Sequence, residues 1–340
     1  MRNWLGLLAL LAVLSAGQTA AAAPPALAWP VDCALGQDCW LVHHVDTEPG
    51  PAVRDFRCGA LTYNDHKGTD IAVRDRVAMF RPFTVRAAAA GVVAGVRDTA
   101  PDHPGDDASI KAAMEKGEEC GNGVLVQHAD GWSTQYCHLK SGSVPVAKGQ
   151  PVEAGDLIGY VGNSGAAAFP HLHLAVRRGR EVVDPFTGLA MGQGCEAEPA
   201  ASLWSEPVQA FLPVRDEPFL FGAGFRASAP RYDALLQDMR SPATLEADGA
   251  GLVLWGVAVG LREGDVMTLT IADPAGGTFI AREFMQEKTQ IRRMRFAGRS
   301  NRNGILLPGT YQGIVQVKRG AADGQPLLVV EKRVSVDLVE

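Results

Sequence analysis

From about Val31 to Gly188 the chain alternates short apolar runs with glycine and polar breaks, the pattern of β-strands joined by tight turns. "AAAAGVVAGVRD" (87–98) reads as a strand entered through small residues, and "GVLVQHADGWSTQYCHL" (123–139) as a hairpin turning at Ala129, Asp130 and Gly131. "VAKGQPVEAGDLIGYVGNSG" (146–165) places turn residues between short strands. The polar, partly helix-prone stretch 99–119 reads as an insertion or flap rather than core. Residues 191–215 lack periodicity and read as a linker. Beyond them, runs such as "GLVLWGVAVGL" and "DVMTLTIADPAGGTFIAREFM" predict a small antiparallel β-sandwich over 216–340. The expected fold class is therefore mainly β, in two units, with the first spanning 24–190.

Composition changes this picture little. The 340 residues suit about two domains, and 46% hydrophobic content with a net charge of −6 supplies core without the basic stripe that nucleic acid requires. The N-terminus adds a compartment. Arg2, an apolar run from Trp4 to about Ala16 and a small-residue stretch have the layout of a secretory signal peptide over 1–23, cut between Ala20 and Ala23. Six cysteines follow, an even count that favours disulfides in an exported chain. Cys33 and Cys39 are near enough for a local loop, Cys120 and Cys137 flank the hairpin, and Cys58 is then left with Cys195.

All eight histidines lie within residues 43–173, and three short stretches concentrate the chemistry. In "HKGTD", His66 and Asp70 are brought together across Gly68. In "HLH", strand alternation sends His171 and His173 to one face while Leu172 and Leu174 pack behind. His66, Asp70 and His173 together offer two imidazole nitrogens and one carboxylate, which leaves zinc an open fourth position, the mark of a catalytic rather than a structural site. In "YCHL", alternation would put Tyr136 and His138 on the cleft face and turn Cys137 away. Two imidazoles, His138 and His171, beside a water whose pKa zinc lowers to roughly 7 could move a proton and steady an oxyanion. Tyr136 is read equally as an oxyanion donor or as packing. His128 is read as a hairpin brace, and His43, His44 and His103 as solvated. "GNSG" (162–165) has neither the lysine nor the helix of a phosphate loop, and no nucleophile elbow appears.

Over about residues 55–187 the order of "HKGTD", "YCHL" and "HLH" resembles the lysostaphin-type (LytM-like) zinc endopeptidases, which cut the peptide part of bacterial peptidoglycan. The resemblance implies one Zn2+ held by His66, Asp70 and His173, a catalytic pair His138 and His171, and a two-layer antiparallel β-sheet groove for an extended peptide. Peptidoglycan peptides are the implied partner, in the periplasm or outside the cell. Two other readings are compatible with the motifs: an inactive regulator of a cell-wall hydrolase, and a zinc protease acting on protein substrates. Inactive members lack metal ligands, whereas all five positions are present here.

Overall fold

The computed structural model describes residues 24–213, 217–302, 304, 306–320 and 326–340. The expected signal peptide, residues 1–23, lies outside the described residues; among the described residues no helix is long and apolar enough to cross a membrane. The fold is mainly β. The first half contributes β1 (Cys39–His43), β2 (Thr69–Val73), β3 (Thr84–Arg86), β4 (Gly91–Arg97), β5 (Asn122–Gln127), β6 (Trp132–Leu139), β7 (Pro151–Val152), β8 (Leu157–Tyr160), β9 (His171–Arg178) and β10 (Glu181–Val183). A helix α1 (Asp107–Glu115) stands in the 99–119 insertion, capped by Asp106 on the Ser109 N–H and burying none of its residues.

Eight of these strands form one sheet in the order β1-β2-β9-β6-β5-β4-β7, with β10 also paired to β9, and β3 and β8 form a second small sheet. All of the pairs are antiparallel. Strand alternation sorts the side chains: Ile71, Leu172, Leu174, Val176, Val124, Val126 and Tyr136 enter a core behind the large sheet. The opposite face carries Asp70 and His173, directly paired across β2 and β9, with Cys137 opposite His173 on β6. Much of the stretch read as a linker is built into this core. Trp204 and Leu203 are buried, Leu27 bridges to Trp204, and Val208 packs from the short helix α2 (Glu206–Gln209).

The second half contributes β11 (Phe219–Arg226), α3 (Tyr232–Gln237), β12 (Thr244–Glu246), β13 (Gly251–Leu261), β14 (Val266–Ala272), β15 (Thr278–Met285), β16 (Gln290–Ser300), β17 (Gly309–Gly320) and β18 (Pro326–Val339). A three-stranded sheet, β11-β13-β16, packs on a five-stranded one, β12-β18-β17-β14-β15. One β13 face, including Leu252 and Leu254, joins the core between the two sheets. Trp255, Val257 and Val259 on its other face meet Trp40, Val42, Ala72 and Phe169 of the first half. That double coverage explains why β13 is an apolar run buried at all eleven positions, where a strand wet on one face would alternate.

Three disulfides are present: Cys33–Cys39, Cys58–Cys195 and Cys120–Cys137. The second closes a separation of 137 residues. Loops of that size give the largest entropic stabilisation of the folded state, about 4 to 5 kcal/mol in the chain-entropy description.

Candidate metal centre and active site

The site stands on β2, β9 and β6, where neighbouring strands lie close enough for side chains on one face to touch. Asp70 pairs directly with His173. Its Oδ1 lies 2.8 Å from His173 Nδ1 and 3.2 Å from His66 Nε2, and those two nitrogens are 3.2 Å apart. The close approach depends on Gly68: a Cβ there would stand 2.7 Å from the His173 ring. Its requirement is thus space for an imidazole rather than a left-handed turn.

The donor set fits a divalent cation. His66 Nδ1 faces the His44 carbonyl at 2.6 Å, and a carbonyl only accepts, so Nδ1 carries the proton and Nε2 presents its lone pair. Burial alone would raise the Asp70 carboxyl, but the electrostatic pull of the neighbouring His66 and His171 imidazoles and hydrogen bonds from His173 and His43 hold it well below the usual carboxylate range. A carboxylate oxygen and an imidazole lone pair therefore converge with His173 Nδ1, all three atoms within 4.8 Å of one another. Convergent lone pairs repel unless a cation or proton lies among them, and two nitrogens with one oxygen suit zinc.

His171 and His138 lie beside this cluster, their rings 4.5 Å apart, with His138 5.9 Å from His173. Each is anchored in the same way as His66. His171 Nδ1 donates to the Phe169 carbonyl and His138 Nδ1 to the Ser164 carbonyl, both at 2.8 Å, which leaves each Nε2 as the atom able to exchange a proton. His171 Nε2 lies 3.7 Å from Asp70 Oδ2. Burial is the main cause that pushes the His138 imidazole well below its ordinary value and His171 down to about 4, so both are neutral bases at neutral pH.

The expectations for Cys137, His43, His44 and His103 change here, and Tyr136 takes the packing reading rather than the oxyanion one. Tyr136 does not face the cleft: it is fully buried, and its hydroxyl accepts from the Ala88 N–H at 2.6 Å and from Thr134 Oγ1 at 3.0 Å. Cys137 shares the face of His173 instead of opposing it. His138 reaches the site because its φ of 61° breaks the alternation, a left-handed conformation uncommon outside glycine. His43 and His44 are buried, not solvated, and His103 braces the insertion by donating to Gly165 O while accepting from Gly105 N at 3.0 Å. His128 does brace the hairpin, bridging Ala90 O and Thr134 Oγ1. Tyr136→Phe is accordingly expected to leave turnover unchanged and to lower stability by about 1 to 3 kcal/mol, since the buried Ala88 N–H loses its acceptor. Denaturant unfolding beside a steady-state assay checks both halves.

One wall comes from the second half of the chain. The Arg292 guanidinium on β16 lies 4.0 Å above the Phe169 ring and donates to Tyr232 Oη at 2.9 Å, and Phe169 in turn stands 4.9 Å from the His171 ring.

Three convergent metal-competent donors on a sheet face, flanked by two neutral anchored imidazoles, are the equipment of a metallopeptidase. Residues 64–185 match the model of Peptidase family M23. Over 78 residues the chain is 41% identical to the Cell division protein DipM of Caulobacter vibrioides, an overlap of 23% of this chain and 12% of DipM. Over 63 residues it is 44% identical to the Peptidoglycan DD-endopeptidase ShyA of Vibrio cholerae, 18% of this chain and 14% of that protein. Both alignments thus span a small fraction of the relatives' length. Among solved structures, the catalytic domain of lysostaphin from Staphylococcus simulans aligns at 20% identity over 42% of this chain and 86% of its own, with a TM-score of 0.28.

Proposed function

We propose that the protein is an exported zinc-dependent endopeptidase that hydrolyses peptide bonds of peptidoglycan, in cross-links or stem peptides. The observation that carries this reading is the convergence of His66 Nε2, Asp70 Oδ1 and His173 Nδ1 beside the paired His138 and His171 rings. Zinc held by the three would supply Lewis acidity toward both a water molecule and the scissile carbonyl. His138 and His171 do the proton work. The Nε2 of a neutral imidazole takes the proton released by the attacking water and passes it to the leaving amine nitrogen, so no charge is stranded in the buried site. Whichever of the two imidazoles holds that proton carries the positive charge between attack and departure of the amine, and so steadies the oxyanion of the tetrahedral intermediate until the proton leaves. The family match and the names of the relatives support peptidoglycan as substrate, and three disulfides support export to an oxidising compartment.

The test is digestion of purified sacculi by the zinc-loaded protein, with mass spectrometry of the soluble products and an unstructured protein as competing substrate. Muropeptide fragments with new amino termini are expected from sacculi, with little cleavage of the protein. Intact sacculi would overturn the proposal, and preferential cleavage of the protein would move the substrate to the protein class. Chelation is expected to abolish release while the circular dichroism spectrum persists, because disulfides and two cores hold the fold without metal.

A further inference from the structure

In β1 a regular alternation would give His43 to the wrong side. Leu41 enters the core behind the sheet and Val42 the opposite face, so His43 should point backward with Leu41. The register between β1 and β2 shifts at this point: Leu41 pairs with Ile71, but His43 pairs with Asp70, leaving Val42 as an extra residue. Such a bulge re-aims the side chain that follows it, and here it brings His43 onto the face of the metal donors. His43 Nδ1 then lies 2.8 Å from Asp70 Oδ2. Because that oxygen belongs to a carboxylate and can only accept, His43 is the donor. The other carboxylate oxygen, Oδ1, is the one turned to His66 and His173.

We propose that His43 is a positioning residue for the metal centre: it holds Asp70 Oδ2, fixes the plane of the carboxylate and leaves Oδ1 alone as the metal-facing donor. The bonding is divided between the two oxygens, so a carboxylate that would otherwise rotate or swing both oxygens inward is held to one orientation. The pocket around His43 is suited to this and to little else. It is buried, with Tyr63 at 5.3 Å and Phe169 at 6.1 Å between ring centroids, so its imidazole has no open path to an extended peptide. This inference rests on the reading of His66, Asp70 and His173 as the metal donors, and its test separates the two.

The experiment measures zinc affinity of the full-length apo-protein by competition with a chromophoric chelator, and records the cobalt-substituted absorption spectrum, for wild type, His43→Asn, His43→Leu and Asp70→Ala. Asparagine keeps an N–H near the position of Nδ1, whereas leucine fills the apolar space and removes the donor. Leucine is expected to weaken zinc binding about 10- to 100-fold and to shift the cobalt bands, with asparagine recovering most of the loss. Equal affinity of the leucine variant and wild type, or asparagine binding no better than leucine, would overturn the role of His43. Should the leucine variant fail to fold, an asparagine variant as weak as Asp70→Ala overturns it equally, and one within about tenfold of wild type upholds it. Asp70→Ala binding zinc as tightly as wild type would instead overturn the metal reading itself, and the positioning role with it.

Discussion

His173→Ala is expected to yield a folded protein that retains no stoichiometric zinc and releases peptide about 10³-fold more slowly or worse, whereas His138→Ala keeps its zinc and still loses about 10² to 10⁴ in turnover. The two residues differ in what they face. His173 Nδ1 converges with Asp70 Oδ1 at 2.8 Å, so its removal opens the donor set and forfeits several kcal/mol of charge stabilisation, at tenfold in rate for each 1.4 kcal/mol. His138 contributes no atom to that set, and its Nδ1 is committed to Ser164 O, so only proton transfer and oxyanion support disappear. Neither change touches the main core: His173 is only part-buried, and its neighbours Leu172 and Leu174 fill the opposite face. Metal content by atomic emission on dialysed protein, beside single-turnover rates, separates the two cases. A His138→Ala protein that loses its zinc, or a His173→Ala protein that keeps both metal and rate, would reverse the assigned roles.

How much of this was legible in the sequence follows from the range over which each signal acts. "HKGTD" and "HLH" are local, and period-2 alternation or a short turn suffices to orient their side chains, so the convergence of His66, Asp70 and His173 could be expected residue by residue. The segment they define coincides with the match to Peptidase family M23 over 64–185. Alternation failed where the backbone departs from it. His43 sits after a bulge and His138 has a positive φ, and neither departure leaves a mark in the residue types. Tyr136 was ambiguous for the opposite reason: the strand there is regular, but which of its faces meets the core depends on partner strands distant in sequence. The burial of Trp204 and the second covering of β13 are likewise long-range packing, and composition around residue 204 suggests only a connector. Cysteine spacing did carry the pairing, because two local loops left one remaining bridge.

The buried carboxyl of Asp184 predicts the pH dependence of stability. Oδ1 accepts from the Phe186 and Thr187 N–H groups at 2.7 and 3.1 Å, while Oδ2 is buried without a hydrogen-bond partner among the described residues. Burial, with the charge of Asp55 nearby, pushes this carboxyl up from 3.8 to about 7 against the opposing pull of the two backbone donors. The folded state therefore holds a proton that the unfolded state releases near 3.8. The resulting stability is complete below that value and is lost as pH rises through about 7. At about 1.4 kcal/mol per unit over roughly three units, the loss is about 4 kcal/mol at most. Asp184→Asn keeps the acceptor for both N–H groups and removes the titration. The stability difference between the variant and wild type is expected to grow steadily from pH 4 to pH 8 in favour of asparagine, measured by urea unfolding at fixed ionic strength. The comparison cancels every other titrating group that the substitution does not disturb, so parallel curves across that range would show that Asp184 is ionised in the folded protein and that its unpaired oxygen finds a donor after all.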